Sequence, residues 1–522
     1  MKAPATAGSS TEAVAVTSGE AAARKQIRGS SLLLVGRFVS LGINFAIQVL
    51  VVRYLSKADY GAFAYAVSLV SLGGSIATFG LDRSITRFVP IYDEQGNYNK
   101  LFGTVVLAIG TVASIGLVSV AVVYGLQGVL SGSLIDDERA ISVLLILVVL
   151  IPIQSLDGLF MGMFAVFSKP RAIFFRKYVL TPGLRFTVVL LLVLGNQSVL
   201  FLAGGYVAAA AVGVGIYAVM LYGMLKGEGL LQHFEFSKLD IPVREVFGFT
   251  VPLLTSDLVY MVMNTSDVVL LGHYRGAEEV GELRVILPVA HLNQLVMTSF
   301  TLLFTPLAAR LFARDDKEGI NRLYWTTAIW IAVLTFPAFA LTFSLAEPVT
   351  VTLFGSRYSE SATYLTLLAL GYYFNAALGF NGLTLKVFGR LRYIVSINIF
   401  AALVNLGLNF LLIPRYGALG AAIGTCMALL LHNVLKQAGL LLGTGVTLFR
   451  SRDLAVYAAI VLAAGLLFVV QLAFSPPVYV SFVAAAVASL LVVGFGRNSL
   501  RAAETFPELM RFRLMRMIVG AS

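Results

Sequence analysis

Apolar residues run for about 20 positions or more at a time along this chain, separated by short polar turns. A helix rises 1.5 Å per residue, so about 20 residues cross roughly 30 Å of hydrocarbon. Runs of that length lie near 30–52, 60–81, 101–126, 140–166, 173–194 and 198–225. After the polar stretch Lys226 to Glu245 they resume near 246–271, 280–309, 323–346, 361–385, 393–413 and 416–440. Two more, near 454–474 and 477–495, bring the predicted spans to 14. The pattern predicts an all-α polytopic membrane protein.

The first run has a copy. Ser31 to Gly61 aligns without a gap on Val251 to Gly281, with 8 of 31 pairs identical, among them Asn44 with Asn264, Tyr54 with Tyr274 and Gly61 with Gly281. A fixed register of Asn, Tyr and Gly marks an internal repeat. Six spans per copy is an even number, so both halves enter from the same side, related by an axis along the membrane normal, with a cavity expected between the lobes. The predicted division is a disordered cytoplasmic tail (1–27), an N-lobe (28–225), a cytoplasmic linker (226–245), a C-lobe (246–443), two extra helices (444–496) and a basic cytoplasmic tail (497–522). In that last tail Arg511, Arg513 and Arg516 interleave with Leu509, Phe512, Leu514 and Met515, which reads either as an interfacial basic segment or as a frayed end.

Composition agrees with lipid as the solvent: 58% of residues are hydrophobic, 12% are charged, and the mean hydropathy is +0.87. Residues 1–27 carry no apolar core ahead of Arg24, Lys25 and Arg28, so the first apolar run reads as a retained helix rather than a cleaved signal. The single cysteine, Cys426, excludes an intrachain disulfide and a cysteine metal cluster. With the N-terminus in the cytoplasm, 29 of the 38 Lys and Arg residues fall on the inner side, 6 outside and 3 within helices. That is the positive-inside bias. The net charge of +11 then reflects this bias and anionic headgroups, and no nucleic-acid partner is needed to explain it.

A charge at the bilayer centre costs about 3 kcal/mol or more, so polar groups within the spans are the candidate functional residues. Arg37, Asn44 and Gln48 stand at i, i+7 and i+11 on one face of the first helix. The copy places Asp257 in register with Arg37, Asn264 with Asn44, and Asp267 one turn beyond. Arg37 either snorkels, pairs with Asp257 or contacts substrate; Arg284 either snorkels or binds; Arg185 sits nearer mid-helix, after Pro182. Asp157, Asp257 and Asp267 either bind a coupling cation or proton, or pair with arginines. His291, beside Asn293 and Gln294, reads as a hydrogen-bonded core group. Prolines at 152, 182, 252, 288, 306 and 337 kink or end helices, as suits a rocking transporter and also a rigid bundle. No nucleophile with its base, phosphate-cradling glycine loop or metal-ligand set emerges, so an enzyme is not expected; Ser299 and His291 share a helix but lack an orienting third group.

Several segments resemble the Wzx-like polysaccharide flippases of the multidrug/oligosaccharidyl-lipid/polysaccharide exporter superfamily. They are RYLSKADYGAFAYAVSL from Arg53, FGLDRSITRFVPIYDEQGN from Phe79, NTSDVVLLGHY with Asp267, FTPLAARLFARDD, LFGSRYSES, and GRLRYIVSINIFAALVNLGLNFLLIPRYGALGAAIGT from Gly389 to Thr425. Together they cover about residues 30–440. The resemblance implies a flippase that moves isoprenoid pyrophosphate-linked oligosaccharide from the cytoplasmic to the outer leaflet by alternating access. Under it Arg37, Arg185 and Arg284 are candidates for the pyrophosphate, and Asn44, Gln48 and Asn264 for sugar hydroxyls. Arg83 and Arg87 either guide the headgroup at the inner mouth or are ordinary inside charges. Glycosyltransferases or a polymerase of the same pathway are the expected partners, besides membrane lipids; no cofactor is expected beyond a coupling Na+ or H+. The alternatives are a peptidoglycan-precursor lipid flippase, a cation-coupled drug exporter, and a non-transporting scaffold of a glycan assembly complex. The extra pair of spans and the intramembrane arginines disfavour the drug exporter.

Overall fold

The computed structural model describes residues 32–33, 35–129, 137–446 and 451–500, with only the backbone for 252–260, 262–264, 302–303, 451–452 and 498. The two tails predicted at 1–27 and 497–522 therefore lie outside the described residues, apart from 497–500. Among the described residues the regular structure is helical. Lipid offers the backbone no hydrogen bonds, and a helix satisfies its own.

The helices are α1 (Val35–Tyr54), α2 (Lys57–Thr78), α3 (Leu81–Glu94), α4 (Tyr98–Gly125), α5 (Glu138–Leu147), α6 (Leu150–Val166), α7 (Pro170–Leu194) and α8 (Val199–Gly227). There follow α9 (Val243–Arg275), α10 (Ala277–Ala290), α11 (Leu295–Ala313), α12 (Lys317–Ser344), α13 (Ala346–Phe354), α14 (Ser361–Ala377), α15 (Asn381–Val387), α16 (Leu391–Thr444), α17 (Ser451–Phe474) and α18 (Val478–Leu500). Among the described residues ten helices are long and apolar enough to cross a membrane, and the pair Ala277–Thr301 with Phe304–Ala313, bent by 46°, makes eleven if it is one span. The 54-residue α16 is interrupted at Gly417 and covers the two runs predicted near 393–413 and 416–440, while α9 and α14 lie on the runs predicted near 246–271 and 361–385. Leu442, Leu472 and Leu491 are exposed on such helices, an arrangement for hydrocarbon rather than water.

One expected loop is helical. The second span was expected to end near 81; instead the chain turns at Gly80 (φ 68°) and continues as α3. Leu81, Ile85, Val89 and Tyr92 fill one buried face of it, with Arg83 and Arg87 exposed on the other. Glycine suits that turn because a left-handed φ costs it no Cβ clash.

The chain divides into two compact units. The first comprises 1–54, 69–128 and 142–255. Its core joins α3, α4, α6 and α8 through Leu81, Ile85, Leu101, Val112, Leu159 and Met163. The second comprises 55–68, 129–141 and 256–522, so the first turns of α2 and the start of α5 belong to it. Its core joins α11, α12, α14 and α15 through Phe304, Tyr324, Trp325, Ala376, Phe380 and Leu385. Within this unit Gly61 of α2 lies directly on α10: a Cβ at Gly61 would stand 2.4 Å from the Ala277 carbonyl oxygen, and one at Gly281 would stand 2.8 Å from Gly61 Cα. The two repeat-equivalent glycines thus allow backbone-to-backbone contact. Lys57 pairs there with Glu282 and, at 3.5 Å, with Glu278, and Arg139 lies 3.6 Å from Asp59.

Candidate functional site

The polar groups of the first unit fall into three sets. On α1, Arg37 is exposed, and no ion pair joins it to a described residue. Asn44 spends its amide on its own helix, donating to Ser40 O at 2.7 Å and Oγ at 3.0 Å, and Gln48 is half-buried. Arg37 is thus the one charge of the expected stripe, unpaired among the described residues.

The second set surrounds α7. Between Phe175 and Leu180 this helix widens into a π-helical turn just ahead of Pro182, a local defect frequent at functional sites. Within the turn Arg176 is turned inward, its side chain 6% exposed, and its Nη2 lies 2.7 Å from Asp157 Oδ1 on α6. Thr181 Oγ1 accepts from Arg176 Nη1 and donates to Arg176 O at 2.8 Å. Gly213 on α8 makes room for the guanidinium, since a Cβ there would stand 2.8 Å from Arg176 Cζ. Tyr217 lies under it at 5.8 Å and stacks on Phe164. Asp157 therefore takes the arginine-paired of its two expected arrangements, with Arg176 as partner. Arg185 is half-buried, with its guanidinium 5.3 Å from the Tyr206 ring, and it makes no ion pair with a described residue.

At the far end of α3, Arg87 lies over the rings of Phe249 (4.3 Å) and Phe88 (5.6 Å), and Arg83 is exposed. Nearby Lys100 Nζ and the Tyr92 hydroxyl, 2.8 and 2.5 Å away, donate to the Glu245 carboxylate at the end of the polar linker. These two donors hold that carboxyl below the ordinary carboxylate range.

In the second unit Asp267 is buried, with one oxygen accepting from the Val268 N–H at 2.8 Å. Arg284 acts electrostatically on both Asp267 and His291, and its Nε is buried without a hydrogen-bond partner. His291 meets the Tyr372 hydroxyl at 3.0 Å, and Asn293 donates to Ala290 O and to Thr342. Beside Asp267, Ser266 reaches Asn405 Oδ1 at 3.4 Å, and Asn409 donates to Asn405 Oδ1 at 3.3 Å and to Ser266 Oγ at 3.4 Å. Asn409 Oδ1 is buried without a partner, 2.6 Å from where a Cβ on Gly424 would stand. The side chains of Asp257 and Asn264 lie outside the described residues.

So Arg284, His291 and Asp267 belong to one cluster of the second unit, while Arg37 and Arg185 belong to the first unit with Asp157. Arg176 was missed by sequence reasoning. It falls inside the apolar run 173–194, and that position was the available signal. Among the described residues no three His, Cys, Asp or Glu side chains gather as a metal-ligand set.

Helices long and apolar enough to cross a membrane, ten of them among the described residues, define a multi-pass membrane protein. The family model described as polysaccharide biosynthesis protein matches residues 27–312, more than half of the chain, and the chain belongs to that family. The MatE model matches residues 252–411. Among its relatives, the succinoglycan biosynthesis transport protein ExoT of Rhizobium meliloti is 25% identical over 337 residues, covering 63% of each chain. The probable low-salt glycan biosynthesis flippase Agl15 of Haloferax volcanii is 19% identical over 417 residues, 78% of this chain and 82% of that one. Among solved structures, the lipid II flippase MurJ in an inward closed conformation superposes with a TM-score of 0.69 at 16% identity, covering 90% of this chain and 99% of that chain. That likeness concerns the fold.

Proposed function

We propose that this protein is a flippase for isoprenoid pyrophosphate-linked oligosaccharide, carrying the headgroup from the cytoplasmic to the outer leaflet by alternating access while the lipid tail stays in the bilayer. The observation that carries this reading is the charge placement within spans. Arg37, Arg185 and Arg284 make no ion pair with a described residue, whereas Arg176 is paired. A guanidinium in low dielectric without a carboxylate is stabilised by an anion that brings two oxygens to its fork, and pyrophosphate does so. Family membership and the names of the relatives agree with this substrate class. Glycosyltransferases or a polymerase of the same pathway would supply and consume the substrate, and both tails would lie in the cytoplasm.

A coupling cation is read onto the second unit. Asp267 is the best-supported of the three aspartates expected for that role, because its sequence neighbour Ser266 meets Asn405 and Asn409, and Asn409 Oδ1 is buried and unpartnered. Replacing external Na+ with choline at constant pH separates a sodium-driven from a proton-driven cycle.

The test of function is headgroup translocation in proteoliposomes. A lipid-linked oligosaccharide is expected to become accessible on the opposite leaflet. Transport of a small cationic drug in its place would overturn the reading. In cells, Arg37→Ala and Arg185→Ala are each expected to abolish surface-glycan export by at least about tenfold, with normal amounts of inserted protein. Undiminished export in both variants would make these arginines structural.

A further inference from the structure

From Ser361 to Thr444, the stretch forming α14, α15 and α16, the chain carries Lys386, Arg390, Arg392, Arg415 and Lys436 and not one aspartate or glutamate. Most of these cations lie at helix ends. Arg390, for example, is exposed and donates to the Gly443 carbonyl at 2.8 Å. Lys436 is placed differently. It stands two turns inside the end of α16, half-buried, with its stem laid over Gly382 of α15: Cε and Nζ lie 3.6 and 3.9 Å from where a Cβ on Gly382 would be. Lys386 follows Gly382 by one turn on α15, and its charge acts on Lys436. One turn before Lys436 on α16, His432 donates to Asn398 Oδ1 at 2.8 Å and in turn feels the Lys436 charge. Neither lysine has an ion pair with a described residue.

Two ammonium groups gathered at the rim of an apolar bundle repel one another, and desolvation of one of them raises the cost. Proteins ordinarily offset such a cost with a carboxylate. These three helices contain none, and no carboxylate of another described element pairs with either lysine, which leaves the place of the counter-charge open to a ligand. A compact ammonium with three donors is a general binder of phosphate oxygens, and the ends of membrane helices lie at the depth of lipid headgroups.

We propose that Lys386 and Lys436, with His432 and Asn398 alongside, form an anion site of the second unit that takes the phosphate of a lipid headgroup. The site deepens the flippase reading and rests on it for one of two sources of that phosphate: the pyrophosphate of the carrier lipid. The other source is an anionic phospholipid.

Both sources are tested on the full chain in detergent, with farnesyl pyrophosphate as one probe and phosphatidylglycerol adducts in native mass spectra as the other. Lys436→Gln and Lys386→Gln are each expected to weaken binding of one probe about tenfold, and the double variant more, with Lys436→Arg retaining most of it. Thermal midpoints within a few degrees of wild type show that the variants fold; if a glutamine variant does not, Lys436→Arg with the double charge swap Lys386→Glu supplies the comparison. Loss confined to farnesyl pyrophosphate assigns the site to the carrier, and loss confined to phosphatidylglycerol assigns it to bulk lipid; both outcomes support an anion site. Unchanged binding of both probes overturns it. Failure of the flippase reading is distinguishable, because it is read from wild-type translocation in proteoliposomes, whereas this site is read from binding.

Discussion

Arg176 and Asp157 form a pair whose two ends lie in different surroundings: the arginine side chain is 6% exposed and the aspartate side chain 34%. Coulomb attraction at 2.7 Å is strong where water is excluded, but taking both charges out of water costs about as much as their attraction returns. The pair itself therefore contributes little net stability, whereas removing one partner strands a charge among Tyr217, Phe164 and the backbone of α8. Asp157→Asn is expected to cost about 1–2 kcal/mol because Arg176 is left buried and unpaired, and to lower the thermal midpoint in detergent. The double variant Arg176→Gln/Asp157→Asn is expected to recover most of the loss. Additive losses in that double-variant cycle would show that the two charges are not coupled. Arg37 and Arg185 make no ion pair with a described residue, and Arg284 acts on Asp267 without pairing directly with it, so under the proposed function these three, unlike Arg176, are the arginines left to meet an anionic headgroup.

The break in α16 works the same way for a backbone. At Gly417 φ is 56° and ψ −133°, a conformation open to glycine and strained for any residue with a Cβ. A Cβ there would also stand 1.9 Å from Glu279 Oε2. That carboxylate, from the first turn of α10, accepts from the Ala418 N–H at 2.9 Å and so caps the helix that restarts there, opposite the positive end of its dipole. Gly417→Ala is expected to cost about 2 kcal/mol or more, and Glu279→Ala about 1 kcal/mol, both read as shifts in thermal midpoint. A Gly417→Ala variant as stable as wild type would contradict the observed backbone. Much of this element was legible beforehand: Pro414, Gly417 and Gly420 stand in the motif that divided the eleventh span from the twelfth. Glu279 as its cap was not legible, because the two residues are 138 positions apart and which carboxylate reaches a helix end depends on packing. The 14 runs and the repeat could be read because spanning a bilayer imposes length and composition on every crossing. Helix α3 escaped notice because its apolar residues recur every three or four positions, among arginines that lower the local hydropathy. Arg176 was not legible as a paired group, because its partner Asp157 lies on another helix and the π-helical turn that aims it leaves no compositional mark.

For the whole molecule the consequential quantity is orientation, since it sets the direction in which a headgroup moves. The inner-side excess, 29 of 38 Lys and Arg, predicts the loops around Lys169 and Arg310 to Arg322 in the cytoplasm and the loop Gly195 to Ser198 outside. The 14 spans expected from the sequence, an even number, would keep both ends of the chain on one side. Cysteine labelling reads this cleanly, because Cys426 is buried and is the only native thiol. In a Cys426→Ser background, a cysteine at Gln197, which is exposed, is expected to react with a membrane-impermeant maleimide in intact cells. A cysteine at Glu318, also exposed, is expected to react only after permeabilisation, and a tag at either terminus should behave as Glu318 does. Labelling at Glu318 in intact cells would invert the bundle, and a flippase of that orientation would deliver glycan to the cytoplasmic face. Different exposure of the two terminal tags would mean an odd number of crossings; the two lobes could still enter from the same side, but the helices α17 and α18 could not both span.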